Sequence, residues 1–383
     1  MTNTVHFRIN HFSNLDPTIL VDEIKKVKGT VLRSTIAICE KCHYHVPAFT
    51  YHVDNQLWLV KHCKTHKFSH HMIERDYEFY SQLTYIHNEP QIYNHLQIIT
   101  EVTDRCNLEC PHCYHIPNNE IKDVSIDSLI NKYKSWNLPF TLLVLAGAEP
   151  TIRKDFPELI QEIKQSLNNS VVTAISNGVR LSDPILVQNL IDAKMDSMCF
   201  GLNHPSYINN VTVRNKQEQA IENCFNLGLN VETIAYTMSS INELYYILDE
   251  ITTRNWPARF FRIRYGSDIG RYPDQPKMYV SDSYKLIKQW CKDNGKEFRD
   301  IPGDDTLYHK MISIDDKIIR IIQWGDESDL NIGELGCGPY ADFSSDGIIN
   351  FLHSVVRRDI EKNKGVILPD TVPSEYIFKW SSM

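Results

Sequence analysis

Between residues 94 and 298, short apolar runs alternate with longer segments of helical spacing, and that alternation restricts the chain to a parallel sheet covered by helices. The runs are Leu96 to Val102, Thr141 to Ala146, Val171 to Ser176, Ser197 to Asn203, Leu229 to Thr237 and Phe260 to Tyr265. Each is rich in Val, Ile, Leu or Phe, as buried parallel strands are. Between them, Ser125 to Trp136 opens on a residue that caps a first turn, and Asp155 to Leu167 carries the stripe Leu159, Ile160 and Ile163. The same spacing predicts helices at 184–193, 214–227, 241–254 and 281–294. Right-handed repetition of these strand–helix units gives an α/β fold, a partial (β/α)6 TIM-like barrel with its chemistry at the carboxyl ends of the strands.

The flanks differ in pattern. Residues 1–93 are rich in His and aromatics and read as an amino-terminal metal-binding module; residues 299–383 alternate like hairpins and read as a carboxyl-terminal cap that contacts substrate. The formal net charge of −8 argues against nucleic acid as a partner. With no apolar run long enough for a membrane span and no basic start followed by an apolar stretch, the expected location is the cytoplasm. Ten cysteines in such a chain are better metal ligands than disulfides.

Cys106, Cys110 and Cys113 stand in a CxxxCxxC pattern directly after the first strand. Electron-transfer clusters usually take four protein ligands, whereas three leave one iron open to bind and activate another molecule. A zinc site or a set of buried thiols is the plainer use of such residues; the loop setting and the turns downstream favour the cluster.

This triplet, with the aromatic Tyr114 just behind it, resembles the radical S-adenosylmethionine (SAM) superfamily. The resemblance implies a 4Fe–4S cluster on Cys106, Cys110 and Cys113 whose free iron chelates SAM, and reductive cleavage of SAM to methionine and a 5′-deoxyadenosyl radical. Ala146-Gly147-Ala148-Glu149-Pro150-Thr151 is similar to the family's GGEP motif, with alanines at 146 and 148. It implies that backbone groups and the Glu149 side of the turn hold SAM's amino group, since small residues permit close approach and a carboxylate pairs with an ammonium. Alanine at a position requiring positive φ would be strained. Ser176-Asn177-Gly178 resembles the family's Ser/Thr-Asn-Gly turn near the ribose, although Asn-Gly alone is common in turns. Asn203 falls where relatives carry a polar residue near ribose or substrate, and Arg262 and Arg264 suit the SAM carboxylate or an anionic substrate.

Nearer the amino terminus, Cys39-x-x-Cys42 and Cys63-x-x-His66 have the paired spacing of a structural zinc site, joined by a hairpin around Tyr51 to Val60. Iron is the alternative metal. His62, His70 and His71 are expected on the surface. The runs Val31–Cys42 and Lys61–Tyr80 resemble a radical SAM branch that includes archaeal tetraether lipid synthases and proposed pterin methylases, without the further cysteine groups of the former.

Cys199, Cys224 and Cys291 read as small buried hydrophobes, while Cys337, between glycines, is a loop thiol available as a substrate contact or auxiliary ligand. Met311, Ser313 and Asp315, then Ile318 to Trp324, form a hairpin expected to cover the barrel opening. Tyr308, His309, Trp324, Tyr340 and His353 in this region are the candidates for substrate selection. The expected activity is modification, by methylation or C–C bond formation, of a small-molecule substrate, with an electron donor such as flavodoxin or ferredoxin. The competing readings are a peptide-modifying maturase and a zinc-ribbon electron carrier.

Overall fold

The computed structural model describes residues 4–5, 18–38, 45–83, 96–110, 113, 117–135, 141–167, 170–202, 211–238, 240–265, 278–301, 309–323, 342–343, 349–350 and 378–379. The short strand β1 (Thr4–Val5) pairs with β16 (Ile349–Asn350) and β17 (Phe378–Lys379), and β16 pairs with β15 (Asp342–Phe343).

Helix α1 (Thr18–Lys26) leads into an antiparallel sheet of β2 (Thr30–Ile38), β3 (His45–Val53), β4 (Gln56–Cys63) and β5 (Lys67–Glu74). The β3–β4 hairpin turns on Asp54 and Asn55 at φ of 48° and 60°, a left-handed pair that Asp and Asn tolerate better than other side chains. Leu20 and Ile24 of α1 pack on Tyr51 and Val60, while Leu57, Leu59 and Ile73 pack with Tyr80 of α2 (Tyr77–Leu83). His70 is drawn into this sheet: its Nδ1 is 2.8 Å from the Tyr51 hydroxyl, so it is half-buried and not the surface residue its polar neighbours suggest.

The main sheet runs in the order β12-β13-β14-β11-β10-β9-β8-β7-β6. Strands β6 (Leu96–Thr103), β7 (Thr141–Gly147), β8 (Ser170–Ser176), β9 (Ser197–Gly201), β10 (Asn230–Met238) and β11 (Ala258–Tyr265) are mutually parallel. Helices α3 (Ile126–Ser135), α4 (Phe156–Ser166), α5 (Pro184–Asp192), α6 (Val211–Leu227), α7 (Ile241–Thr253) and α8 (Val280–Asp293) follow them in turn, giving an α/β partial barrel. Alternate residues such as Leu143, Val172, Met198, Ile234 and Phe261 are buried at 0 to 1% exposure in one core with the helices' apolar stripes. Local chemistry sets the helix starts: Asp183 Oδ1 accepts from Ile185 N–H at 2.9 Å, and Ser240 Oγ accepts from Glu243 N–H at 3.4 Å. Asp155 makes no such cap, because Arg153 occupies its carboxylate through bonds of 3.0 and 2.8 Å.

The hairpin expected over the barrel opening is real but lies elsewhere. Strands β13 (His309–Ile314) and β14 (Lys317–Gln323) are antiparallel, and β14 adds to β11 in parallel register, with β12 (Phe298–Asp300) outermost. Ile312, Ile314, Ile319 and Ile321 are buried on the helix side, so apolar alternation draws the hairpin into the sheet. No helix among the described residues is long and apolar enough to cross a membrane.

Glu74 ties the amino-terminal sheet to the barrel. Its side chain is 3% exposed at the start of α8; Oε1 accepts from Ser281 Oγ–H at 2.6 Å and Oε2 from Ser281 N–H at 3.3 Å, with Lys285 bonded to Asp76 alongside at 2.5 Å. Burial pushes the Glu74 carboxyl above its ordinary range, against the pull of the Ser281 donors. A carboxyl whose folded pKa is raised contributes most below its unfolded pKa and less as pH rises through the folded value. The stability margin of the wild type over Glu74→Gln should therefore shrink as pH rises through and above the ordinary carboxylate range. Thermal melts of both proteins across that range check this, and a margin that stayed flat or grew would contradict it.

Candidate active site

Strand β6 ends at Thr103, and the chain then makes the loop that carries the three cysteines. Its start is held from two sides. The carboxylate of Asp123 accepts from Thr103 Oγ–H at 2.5 Å and from Arg105 Nε–H at 3.2 Å and pairs with the Arg105 Nη2 as well. Arg153, 2% exposed, donates through Nη1 to the carbonyls of Val102 at 2.7 Å and Val124 at 3.0 Å, joining the loop's two ends. Within the loop, Cys106 N–H donates to Asn119 Oδ1 at 3.0 Å and Cys113 N–H to the Cys110 carbonyl at 3.2 Å.

All three thiols of this loop are partly exposed. Cys106 Sγ accepts from Leu108 N–H at 3.4 Å and faces Asn177 Nδ2 at 3.8 Å; burial pushes its thiol up to about 11. Among the described residues no group of three or more His, Cys, Asp or Glu stands at the spacing of a single metal ion. A 4Fe–4S cluster takes each thiolate on a different iron, so its ligands stand farther apart than those of one ion. Three accessible soft donors on one loop fit that cluster with a position left open.

The turn after β7 is fastened to this loop by backbone. Ala148 N–H donates to the Thr103 carbonyl and Glu149 N–H to the Arg105 carbonyl, both at 3.0 Å. Gly147 sits at φ +115°, and a Cβ there would lie 2.2 Å from the Thr103 oxygen. Glycine thus stands at the one residue of Ala146-Gly147-Ala148 with positive φ, and the alanines carry no backbone strain.

Glu149 is fully buried, and its carboxylate faces inward. Oε1 accepts from Thr151 N–H at 3.1 Å, Thr151 Oγ–H at 2.5 Å and Ser176 Oγ–H at 2.8 Å, and Oε2 accepts from Asn177 N–H at 2.6 Å. The side chain therefore joins the turns after β7 and β8, and the surface it leaves for a ligand's ammonium is backbone. Burial raises its pKa, while these donors favour the charged form. Asn177, brought to this junction, donates from Nδ2 to Asn107 Oδ1 at 2.8 Å, so the third turn reaches back to the cysteine loop. Gln217 of α6 holds the turn from behind, donating to the Asn177 carbonyl at 2.8 Å and the Gly201 carbonyl at 3.2 Å.

Arg262 and Arg264 project from β11 opposite the buried Phe261 and Ile263, and Arg264 Nε–H donates to Thr237 Oγ at 2.6 Å. Of the lone cysteines, Cys224 and Cys291 are buried, whereas Cys199 is half-exposed on the inner face, 3.7 Å from Thr173 Oγ. In the amino-terminal sheet, the end of β2 at Ile38, the start of β3 at His45 and the β4–β5 turn lie at the same end, and Cys63 Sγ is 3.5 Å from His66 Nδ1 in that turn. Those are two of the proposed zinc donors. Cys39, Cys42, Tyr114, Asn203, Cys337, Tyr308, Trp324, Tyr340 and His353 lie outside the described residues. Sequence reading missed Thr103, Asp123, Arg153 and Gln217, because the motifs name residues near the ligand and these lie behind it.

Residues 100–244 match the family model described as the radical SAM superfamily, and residues 31–75 match the HMPTM N-terminal zinc ribbon domain. The 7,8-dihydro-6-hydroxymethylpterin dimethyltransferase of Methanocaldococcus jannaschii is 23% identical over 241 residues, covering 54% of this chain and 47% of that protein. A probable GTP 3′,8-cyclase of Methanococcus aeolicus is 27% identical over 158 residues, covering 37% of this chain and 52% of that protein. The chain thus spans about half the length of these curated relatives. Among solved structures, Streptococcus suis SuiB bound to S-adenosylmethionine matches with a TM-score of 0.44 and 14% identity, over 66% of this chain and 54% of that one. A 4Fe–4S cluster and SAM are the cofactors that such a domain implies, and zinc is the metal of such a ribbon. Residues 100–244 are thus a radical SAM domain, the domain of an enzyme superfamily, and residues 31–75 are an amino-terminal zinc ribbon.

Proposed function

We propose that this protein cleaves SAM reductively and uses the resulting radical to modify a small organic substrate, by methylation or C–C bond formation. The observation that carries the reading is the junction at the strand ends, where a loop of three half-exposed cysteines is laced to the turns holding Gly147, Glu149 and Asn177. In this reading Cys106, Cys110 and Cys113 ligate the 4Fe–4S cluster, and Cys39, Cys42, Cys63 and His66 hold zinc. The strands β6 to β11 with helices α3 to α8 form the working (β/α)6 unit. When bound, the cluster supplies an open iron for SAM and the electron that breaks its sulfur–carbon bond.

The chain's own residues do the positioning. Backbone at Ala146 to Ala148 offers carbonyls to an ammonium group, and the bonds of Glu149 keep that edge fixed against the cysteine loop. Asn177 and, by sequence position, Asn203 are the proposed polar contacts for a ribose and Tyr114 the proposed aromatic one, while Ser176, buried with its hydroxyl on Glu149, supports the turn from behind. Methylation and bond formation are favoured because the relatives include proteins named as a methyltransferase and a cyclase. Flavodoxin or ferredoxin is the class of donor proposed.

The test is anaerobic: reconstitute the cluster, reduce it with dithionite, add SAM, and quantify 5′-deoxyadenosine, methionine and S-adenosylhomocysteine. Deoxyadenosine with methionine is expected, and accompanying S-adenosylhomocysteine marks methyl transfer. A reducible cluster that formed none of these, even with cell extract supplying substrate, would return the chain to the electron-carrier reading.

A further inference from the structure

The inner face of the sheet carries two arginines side by side. Arg262 of β11 stands directly across from Arg320 of β14 in the parallel register, and both are half-buried. Their strand neighbours Phe261, Ile263, Ile319 and Ile321 are buried on the helix side, which places both arginines on the opposite face. The Arg262 guanidinium carbon lies 5.9 Å from the ring centre of Phe260 and that of Arg320 5.1 Å from the same ring, so one aromatic ring supports both cations. Arg320 Nε–H donates to Met311 Sδ at 3.3 Å, a weak acceptor that yields readily to an anionic oxygen. Arg264 lies two residues further toward the carboxyl end of β11.

The height on the sheet is informative as well. Arg262 is level with Ala235, which is level with Gly201, and the preceding residue Phe200 is level with Ser176. The arginine pair therefore sits at the same tier as the Ser176–Asn177 turn, at the strands' carboxyl ends where the cysteine loop begins. Two guanidinium groups side by side on neighbouring strands, where water is partly excluded, favour an anion whose oxygens can contact both. A carboxylate brings one charge and two oxygens, enough for a single guanidinium fork. A phosphate ester brings up to two charges and three oxygens, enough for two.

Resting on the reading of this barrel as a radical SAM active site, we propose that Arg262 and Arg320, steadied by Phe260 and flanked by Arg264, bind a phosphate group of the substrate. The substrate class is then a phosphorylated small molecule, its phosphate anchored on β11 and β14 and its remainder turned toward the cysteine loop.

The probe is inorganic pyrophosphate, titrated calorimetrically into the anaerobically reconstituted full chain at two salt concentrations, with SAM titrated in parallel. Saturable, salt-sensitive binding is expected, weakened about tenfold or more in both Arg262→Met and Arg320→Met, with Arg320→Lys between them and wild type. Circular dichroism identifies any variant that has lost its fold; two strands supply the variants, so one such loss leaves the other decisive. Absence of binding in wild type, or unchanged affinity in the folded variants, overturns the proposal. So does a parallel fall in SAM affinity, which would assign the arginines to the SAM carboxylate. Pyrophosphate binding that depends on the arginines in a protein unable to cleave SAM would uphold the site and sink only the reading it rests on.

Discussion

Replacing Cys106 by alanine should abolish assembly of the iron–sulfur cluster and with it SAM cleavage, while leaving the barrel folded. The thiol is half-exposed; its loss releases the Leu108 N–H and removes a contact with Asn177, and water can reach both. The loop keeps its anchors, because Thr103, Arg105 and Asp123 are bonded through one another and Arg153 grips both ends. The expected stability change in cluster-free protein is therefore below about 1 kcal/mol. Iron and sulfide content, visible absorption and 5′-deoxyadenosine should fall to background together. The same loss is expected for Cys110 and Cys113, since a cluster held by two thiolates leaves a second iron unprotected. Cleavage retained in any one of the three variants would remove the cluster assignment.

The barrel's strands and helices were legible because burial on two faces writes continuous apolar runs, and helices over a sheet write a stripe. Boundaries moved only by a few residues: β9 stops at Gly201, and α6 begins at Val211, earlier than its apolar stripe indicates. The destination of the β13–β14 hairpin was not legible. Its alternation fixes which side of a sheet is apolar, but nothing local says that the sheet belongs to the barrel and that β11 is the neighbour. For the same reason Arg320 passed unnoticed, since its meaning comes from lying across from Arg262, far away in sequence. The cysteine triplet was readable because cluster chemistry dictates its spacing. The supports behind it were hidden, because an arginine or an aspartate in a sequence does not say whether it faces water or a protein partner, as Arg153 faces the Val102 carbonyl and Asp123 faces Arg105.

The second large effect concerns Glu149. The motif resemblance gives it a part in holding SAM, and the structure turns its carboxylate away, into four bonds from Thr151, Ser176 and Asn177. Glu149→Ala would leave those donors buried without their acceptor and open a void between two turns, at a cost of about 3 kcal/mol or more. Glu149→Gln keeps the shape but presents an amide N–H₂ to at least one donor, and should cost about 1–3 kcal/mol. Cluster assembly should survive in both, since the cysteine loop is anchored by Thr103, Asp123 and Arg153 and by the Glu149 backbone N–H, none of which depends on the Glu149 side chain. SAM affinity should fall in step with stability as the Gly147 and Asn177 turns lose their registration. A carboxylate that held the SAM ammonium itself would behave differently: both substitutions would erase SAM binding while the melting temperature of the SAM-free protein stayed at the wild-type value. Melting the SAM-free variants and titrating each with SAM separates the two roles, and an unchanged melting temperature in Glu149→Ala would restore the direct one.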